Sequence, residues 1–65
     1  MSYWTVSIEF ERVAKKNNEL RSWTFIKAKD KKHAIKICTD RLLNNESADT
    51  IKILRSEAIK INESL

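Results

Sequence analysis

Residues 20–45, LRSWTFIKAKDKKHAIKICTDRLLNN, decide the fold, because a strand-like pattern passes directly into a helical one. Residues 20–29 are rich in β-branched and aromatic side chains, which favour a strand. Asp30 then stands where a helix N-cap is needed, since its carboxylate accepts hydrogen bonds from the free amides of a first helical turn. The sequence predicts a helix from about Lys31 to Asn44 or Asn45, with its apolar side chains on one face. These side chains are Ala34, Ile35, Cys38 and Leu42.

The N-terminal residues 4–11, WTVSIEFE, alternate between apolar and polar side chains. This period of two predicts a half-buried strand. Its inward side chains are then Trp4, Val6, Ile8 and Phe10. The polar residues 14–19 separate this strand from the next, and Asn17-Asn18 is the expected turn centre because asparagine tolerates left-handed backbone. Together the two strands predict an antiparallel hairpin.

The residues after the helix fit two interpretations. Residues 50–55 favour a third strand, because Ile51-Lys52-Ile53 alternates and is β-branched. The last ten residues, 56–65, could continue this strand, pair with it as a short hairpin or form a short helix, since their apolar residues also recur at spacings of three and four. We therefore expect one small α+β domain over residues 1–65, in the order ββαβ. An antiparallel sheet would carry the single helix on one of its faces.

Length and composition restrict how such a domain is stabilised. A chain of 65 residues buries only about 60% of the surface that its unfolded form exposes, so small domains often need a disulfide, a metal or a second subunit. Cys38 is the only cysteine and His33 the only histidine, so neither an internal disulfide nor a zinc site is expected. Self-association remains, and we expect a homodimer. Glycine is absent, which excludes glycine-rich phosphate loops, and no cofactor is expected.

The sequence also indicates a location and an origin. No apolar run approaches the roughly 20 residues of a membrane span, and the N-terminus lacks the pattern of a signal peptide. With a single unpaired thiol, we expect a cytoplasmic protein. Isoleucine, lysine and asparagine supply 22 of the 65 residues, and their A/T-rich codons suggest a low-GC bacterium or its phage.

The second strand carries the functional prediction, because only one of its faces can pack under the helix. Lys27 and Lys29 are costly to bury, so the face with Ile26 and Ala28 is expected to point inward. Trp23 and Phe25 would then stand on the open face of the sheet with Tyr3 nearby, as an interface for a protein partner, including a second copy of the chain. The alternative is a bulge near residues 22–24 that lets Trp23 and Phe25 join the core.

A basic segment follows the same strand and supports an alternative function. Its lysines could bind nucleic-acid phosphates while the aromatic rings stack on bases. They give five positive charges against the one negative charge of Asp30. The lysines of this segment are Lys27, Lys29, Lys31, Lys32 and Lys36.

Nothing in the sequence indicates catalysis. His33 has no evident nucleophile or acid partner, and Cys38 lies on the apolar face of the predicted helix. Glu9 and Glu11 resemble paired carboxylates, but pairing with Arg21 or Lys27 across the hairpin explains them more simply. We therefore expect no enzyme, no metal site, no small-molecule substrate and no membrane partner. The predicted function is that of a small regulatory or inhibitory protein that acts by protein–protein interaction.

Overall fold

The computed structural model describes residues 1–45 and 50–61. Its elements in chain order are β1 (Ser2–Arg12), β2 (Asn17–Ala28), α1 (Lys31–Asn45) and β3 (Ile51–Lys60). The strands form one antiparallel sheet in the order β2-β1-β3, with the first strand in the centre. The helix packs against all three strands. The predicted α+β fold with the order ββαβ is confirmed.

The core lies between α1 and one face of the sheet. Alternation along β1 sends Val6, Ile8 and Phe10 into it, and none of them is accessible to solvent. The helix contributes Ala34, Cys38 and Leu42, as its apolar face predicts. The other buried side chains come from β2 and β3 and are Ile26, Ala28, Ile51 and Ala58. These apolar side chains are removed from water where α1 packs on the sheet. The hydrophobic effect is therefore the main contribution that holds the helix on the sheet.

The start of the helix is fixed by the predicted cap. The carboxylate Oδ1 of Asp30 accepts a hydrogen bond from the backbone N–H of His33 at 2.8 Å. In turn, the Nδ1 atom of His33 accepts a hydrogen bond from the backbone N–H of Lys29 at 3.2 Å. These two bonds hold the connection between β2 and α1, and a cap of this kind stabilises a helix by about 1 kcal/mol.

The hairpin turn differs from the prediction. It comprises residues 13–16, and Asn17 already lies in β2, opposite Arg12. The carbonyl of Arg12 accepts hydrogen bonds from the amides of Lys15 and Lys16, at 3.1 and 2.7 Å. Lys16 takes the left-handed conformation, with φ at 53°. The expected centre at Asn17-Asn18 was wrong because strand register, which decides which face is buried, outweighs the preference of asparagine for left-handed backbone.

After the helix, the described residues form a strand as far as Lys60, as one of the two interpretations predicted. Residues 56–60 continue β3 and pair with residues 4–8 of β1. The register slips once, between Glu9 and Phe10 of β1, so that Leu54 is an extra residue on β3. The prediction for residues 62–65 lies outside the described part of the chain.

Candidate protein-binding face of the sheet

A β-bulge in β2 determines which aromatic side chains remain exposed. Ile26 lies opposite Trp4 and Trp23 lies opposite Val6, so Thr24 and Phe25 together face the single residue Thr5. Because of the additional residue, Trp23 and Ile26 both point toward the helix although they are three positions apart. The bulge is made by Phe25, whose φ of 56° lies in the left-handed region.

The two aromatic residues predicted for the open face are therefore separated. Trp23 is half-buried and packs against the core, so its predicted place on the open face was wrong. Phe25 does stand on the open face and is 68% exposed. The alternative prediction, a bulge that moves aromatic residues into the core, holds for Trp23 but not for Phe25. The inward direction of Ile26 and Ala28 is confirmed.

Phe25 forms an aromatic pair with Tyr3, the third predicted interface residue. The two ring centroids are 6.3 Å apart and the ring planes meet at 73°, an edge-to-face arrangement. Tyr3 lies on the central strand, and Lys27 is directly opposite it on β2. We call Tyr3 and Phe25 the aromatic pair. It occupies the end of the open face where β2 leads into the helix.

Small hydroxyl side chains form the centre of the open face. The hydroxyls of Thr5 and Thr24 are 3.1 Å apart, and those of Ser7 and Ser22 are also 3.1 Å apart, so each pair shares a hydrogen bond between β1 and β2. Beside them lies a shallow depression of about 340 Å³. Its lining residues are Ser7, Glu9, Leu20, Arg55 and Glu57. The centre of the face is therefore low, and the aromatic pair projects above it.

The charges of the open face cancel. Among the described residues, the strand register places three carboxylates and three cations on this face, which gives −3 + 3 = 0. They are Glu9, Glu11, Glu57, Lys27, Lys52 and Arg55. Glu9 lies opposite Arg55 and Glu11 lies opposite Lys52, so the predicted partners of these glutamates on β2 were wrong. Arg21 lies on the other face, with its guanidinium 5.8 Å from the ring centroid of Phe10.

The structure does not gather the predicted basic segment on the face of the aromatic pair. Only Lys27 lies there, opposite Tyr3. Lys29 belongs to the connection after β2, and the remaining three belong to the helix, which covers the opposite face of the sheet. These are Lys31, Lys32 and Lys36, all exposed. Lys36 also forms an ion pair with Asp40, with 3.4 Å between Nζ and Oδ2.

The potential catalytic residues have structural roles. Cys38 is fully buried, and desolvation raises the pKa of its thiol, an effect that the nearby charge of Arg41 partly offsets. A buried thiol with a raised pKa is a poor nucleophile. His33 belongs to the hydrogen bonds at the helix start described above. Among residues 1–45 and 50–61, no group of three or more His, Cys, Asp or Glu side chains could hold a metal ion.

Two further observations concern the described chain as a whole. The one helix within those residues is neither long nor apolar enough to cross a membrane. Comparison with protein-family models, curated proteins and solved structures gave no match to this chain. The geometry of the open face is therefore the basis for assigning a function.

Proposed function

We propose that this chain is a small, cytoplasmic, non-enzymatic regulatory or inhibitory protein that binds another protein through the open face of its sheet and acts as a homodimer. The observation that carries the proposal is the conformation of Phe25. A left-handed backbone costs a residue with a Cβ atom roughly 1–2 kcal/mol. Phe25 adopts this backbone although its ring is exposed to solvent, so burial of the ring does not offset the cost. Strain of this kind concentrates at functional sites.

The composition of the open face suits a protein partner. Protein interfaces are enriched in aromatic side chains and depleted of net charge at their centre. Here the aromatic pair projects beside low hydroxyl side chains, and exposed Leu20 and Ile59 add apolar surface. The partner that fits is a protein surface with a shallow apolar depression for Phe25 and hydrogen-bonding groups for the hydroxyls of Thr5 and Thr24.

The area of the open face supports a dimer. Strands of about 11 residues at about 3.3 Å each, three abreast at about 4.8 Å, give a face of roughly 500 Å². A stable protein interface buries about 800 Å² on each partner. Two copies side by side would double the face that a partner can contact.

The alternative function, binding of nucleic acid, is favoured by one observation, that Lys27 lies directly opposite Tyr3. A nucleic-acid groove needs several cations beside its stacking rings. The open face offers three cations cancelled by three carboxylates, and most of the basic segment lies on the helix side. The geometry therefore favours a protein over a nucleic acid.

The test is site-specific photo-cross-linking in the native cells. A benzophenone side chain replaces Phe25 in one full-length variant and exposed Lys36, on the helix, in the matched control. We expect a protein adduct of discrete mass from position 25 that survives nuclease treatment and is missing from position 36. No adduct from position 25, or equal adducts from both positions, would contradict the proposal.

The alternative has a separate test with a short random-sequence DNA duplex. Binding through the basic segment would weaken steeply with salt, with a log–log slope near −0.9 for each phosphate contacted. We expect that the wild-type chain shows no salt-dependent binding to the duplex that the substitution Lys27→Glu would abolish. Salt-dependent binding that is lost with this variant, combined with nuclease-sensitive adducts from position 25, would replace the protein-binding proposal with the nucleic-acid one.

A further inference from the structure

The outer edge of β3 has backbone groups available for another strand. The N–H of Ile61 donates to the carbonyl of Tyr3 at 2.9 Å, which makes Trp4 and Lys60 a pair without mutual hydrogen bonds. Because bonded and non-bonded pairs alternate along an antiparallel ladder, the N–H and C=O groups of Ser56 and Ala58 point away from the sheet. In the described part of the chain, no strand lies beyond β3.

The side chains on this edge are self-complementary. Arg55 and Glu57 flank Ser56 and both lie on the open face, where they line the depression. Within the described residues neither takes part in an ion pair or a side-chain hydrogen bond. A two-fold axis perpendicular to the sheet at Ser56 would place Arg55 of each copy directly opposite Glu57 of the other.

We propose that two copies of the chain pair through their β3 strands, antiparallel and centred on Ser56, to form one six-stranded sheet. The inference rests on the proposed function in one respect, the expectation of a homodimer, and it specifies how the dimer forms. Two symmetry-related Arg55–Glu57 contacts set the register. Both helices then cover the same face, and the two open faces join into one.

Neighbouring registers are less favourable. An axis at Glu57 would place the two copies of this carboxylate against each other, and an axis at Arg55 would do the same with two guanidinium groups. Like charges directly opposite one another destabilise a strand pair. An axis at Ala58 avoids like charges but would place Glu57 opposite Ile59, which satisfies neither side chain. The register centred on Ser56 pairs opposite charges on either side of the axis. Farther out it brings Lys52 of one copy opposite Lys60 of the other, but the extra residue Leu54 places these two side chains on different faces of the sheet.

The other edge strand has the same pattern, but its charges are already engaged. Glu19 and Arg21 flank Leu20 on β2 as Glu57 and Arg55 flank Ser56 on β3. Glu19, however, forms an ion pair with Arg12 of its own chain. Arg21 lies over the ring of Phe10. The free charges therefore favour β3 over β2.

The dimer would enlarge the binding face without covering the aromatic pair. β2 becomes the outermost strand at each end, so the two Phe25 side chains are separated by about 24 Å across five inter-strand spacings of about 4.8 Å. The two-fold axis at Ser56 also offsets them by about 20 Å along the strands, which makes the distance between them about 31 Å. The joined face measures roughly twice the area of one copy, so a partner could contact both copies at once.

The test uses charge reversal and measures association of the full-length chain by sedimentation equilibrium. Arg55→Glu and Glu57→Arg should each raise the dimer dissociation constant about tenfold or more, because each opposes like charges twice per dimer. An equimolar mixture of the two variants should recover the wild-type dimer constant, since every contact is again between opposite charges. Lys32→Glu is the control, with the same change of charge as Arg55→Glu but on the helix.

Three results would overturn the pairing. One is a wild-type chain that stays monomeric up to about 1 mM, the weakest affinity of interest. Another is a dimer that Arg55→Glu leaves intact, and the third is a mixture that fails to associate. Circular dichroism of each variant checks that the sheet is folded. Phe25→Gly should leave the dimer intact. If this variant is instead monomeric, the contact between the two copies lies on the open face rather than along β3. The binding proposal fails separately, through the absence of adducts at position 25 in a chain whose β3 dimer is intact.

Discussion

The strain at Phe25 predicts an inversion of the usual order of alanine and glycine. At an ordinary strand position glycine is less stable than alanine by about 0.5–1 kcal/mol, because its unfolded backbone is freer. At a φ of 56° the Cβ atom of alanine costs about 1–2 kcal/mol, and glycine has none. Phe25→Gly should therefore be more stable than Phe25→Ala by about 0.5–1 kcal/mol.

The comparison isolates the backbone because both variants lack the ring. Whatever the contact with Tyr3 contributes is lost in both, as is the exposed area of the phenyl group. Ser22, exposed on the same strand with its hydroxyl bonded to Ser7, supplies the control. There the hydroxyl bond disappears in both variants, and Ser22→Gly should be the less stable by about 0.5–1 kcal/mol.

The measurement is urea unfolding followed by far-ultraviolet circular dichroism, with all four variants at one protein concentration because a dimer makes stability depend on concentration. The same difference should appear in thermal unfolding as a midpoint about 4 °C higher for Phe25→Gly than for Phe25→Ala. If alanine proves as stable as glycine at position 25, the left-handed backbone costs nothing. Strain at Phe25 would then no longer support a binding role for the open face.

Two other predictions concern the covered face. Trp23→Ala should lower the free energy of unfolding by about 2–3 kcal/mol, since a half-buried indole leaves the core. Leu20→Ala, at an exposed position, should change it by less than about 0.5 kcal/mol. Equal urea midpoints for the two variants would contradict the placement of Trp23 against the core. Burial raises the pKa of the Cys38 thiol, so the unfolded chain loses this proton at lower pH than the folded chain, and stability should fall as pH rises through the ordinary range for a thiol. The free energy of unfolding of Cys38→Ala, lower than that of the wild type at about pH 7, should accordingly come closer to it by about pH 10. A difference in urea unfolding that stays constant over this range would refute the raised pKa of the buried thiol.

The sequence predicted those features that depend on neighbouring residues. Period two in β1 and helical spacing in α1 identified the layers, and Asp30 marked the helix start, because each is a local pattern of apolar or capping side chains. The open face was also inferred, from the cost of burying Lys27 and Lys29. Two of its three aromatic residues, Tyr3 and Phe25, are where a free sheet face requires them to be.

The features that escaped prediction depend on pairing between distant strands. The bulge in β2 was predicted only as an alternative near residues 22–24, and its true position at Phe25 was missed because no glycine marks the extra residue. The position of the hairpin turn follows from the register of β1 against β2 rather than from asparagine. The residues after Arg55 fitted both a strand and a helix. They form a strand because β1 has a second edge with which they pair.

Both tryptophans lie on the covered face of the sheet, which gives the molecule a useful optical property. Trp4 donates its indole N–H to the carbonyl of Ala28 at 3.1 Å, and Trp23 packs beside Val6 under the helix. Their fluorescence should therefore shift when the helix leaves the sheet, and should stay unchanged when a partner covers the aromatic pair on the other side. Tryptophan emission, excited selectively over that of Tyr3, thus reports folding. The stabilisation given by a bound partner that lacks tryptophan can then be measured without interference from the binding event itself.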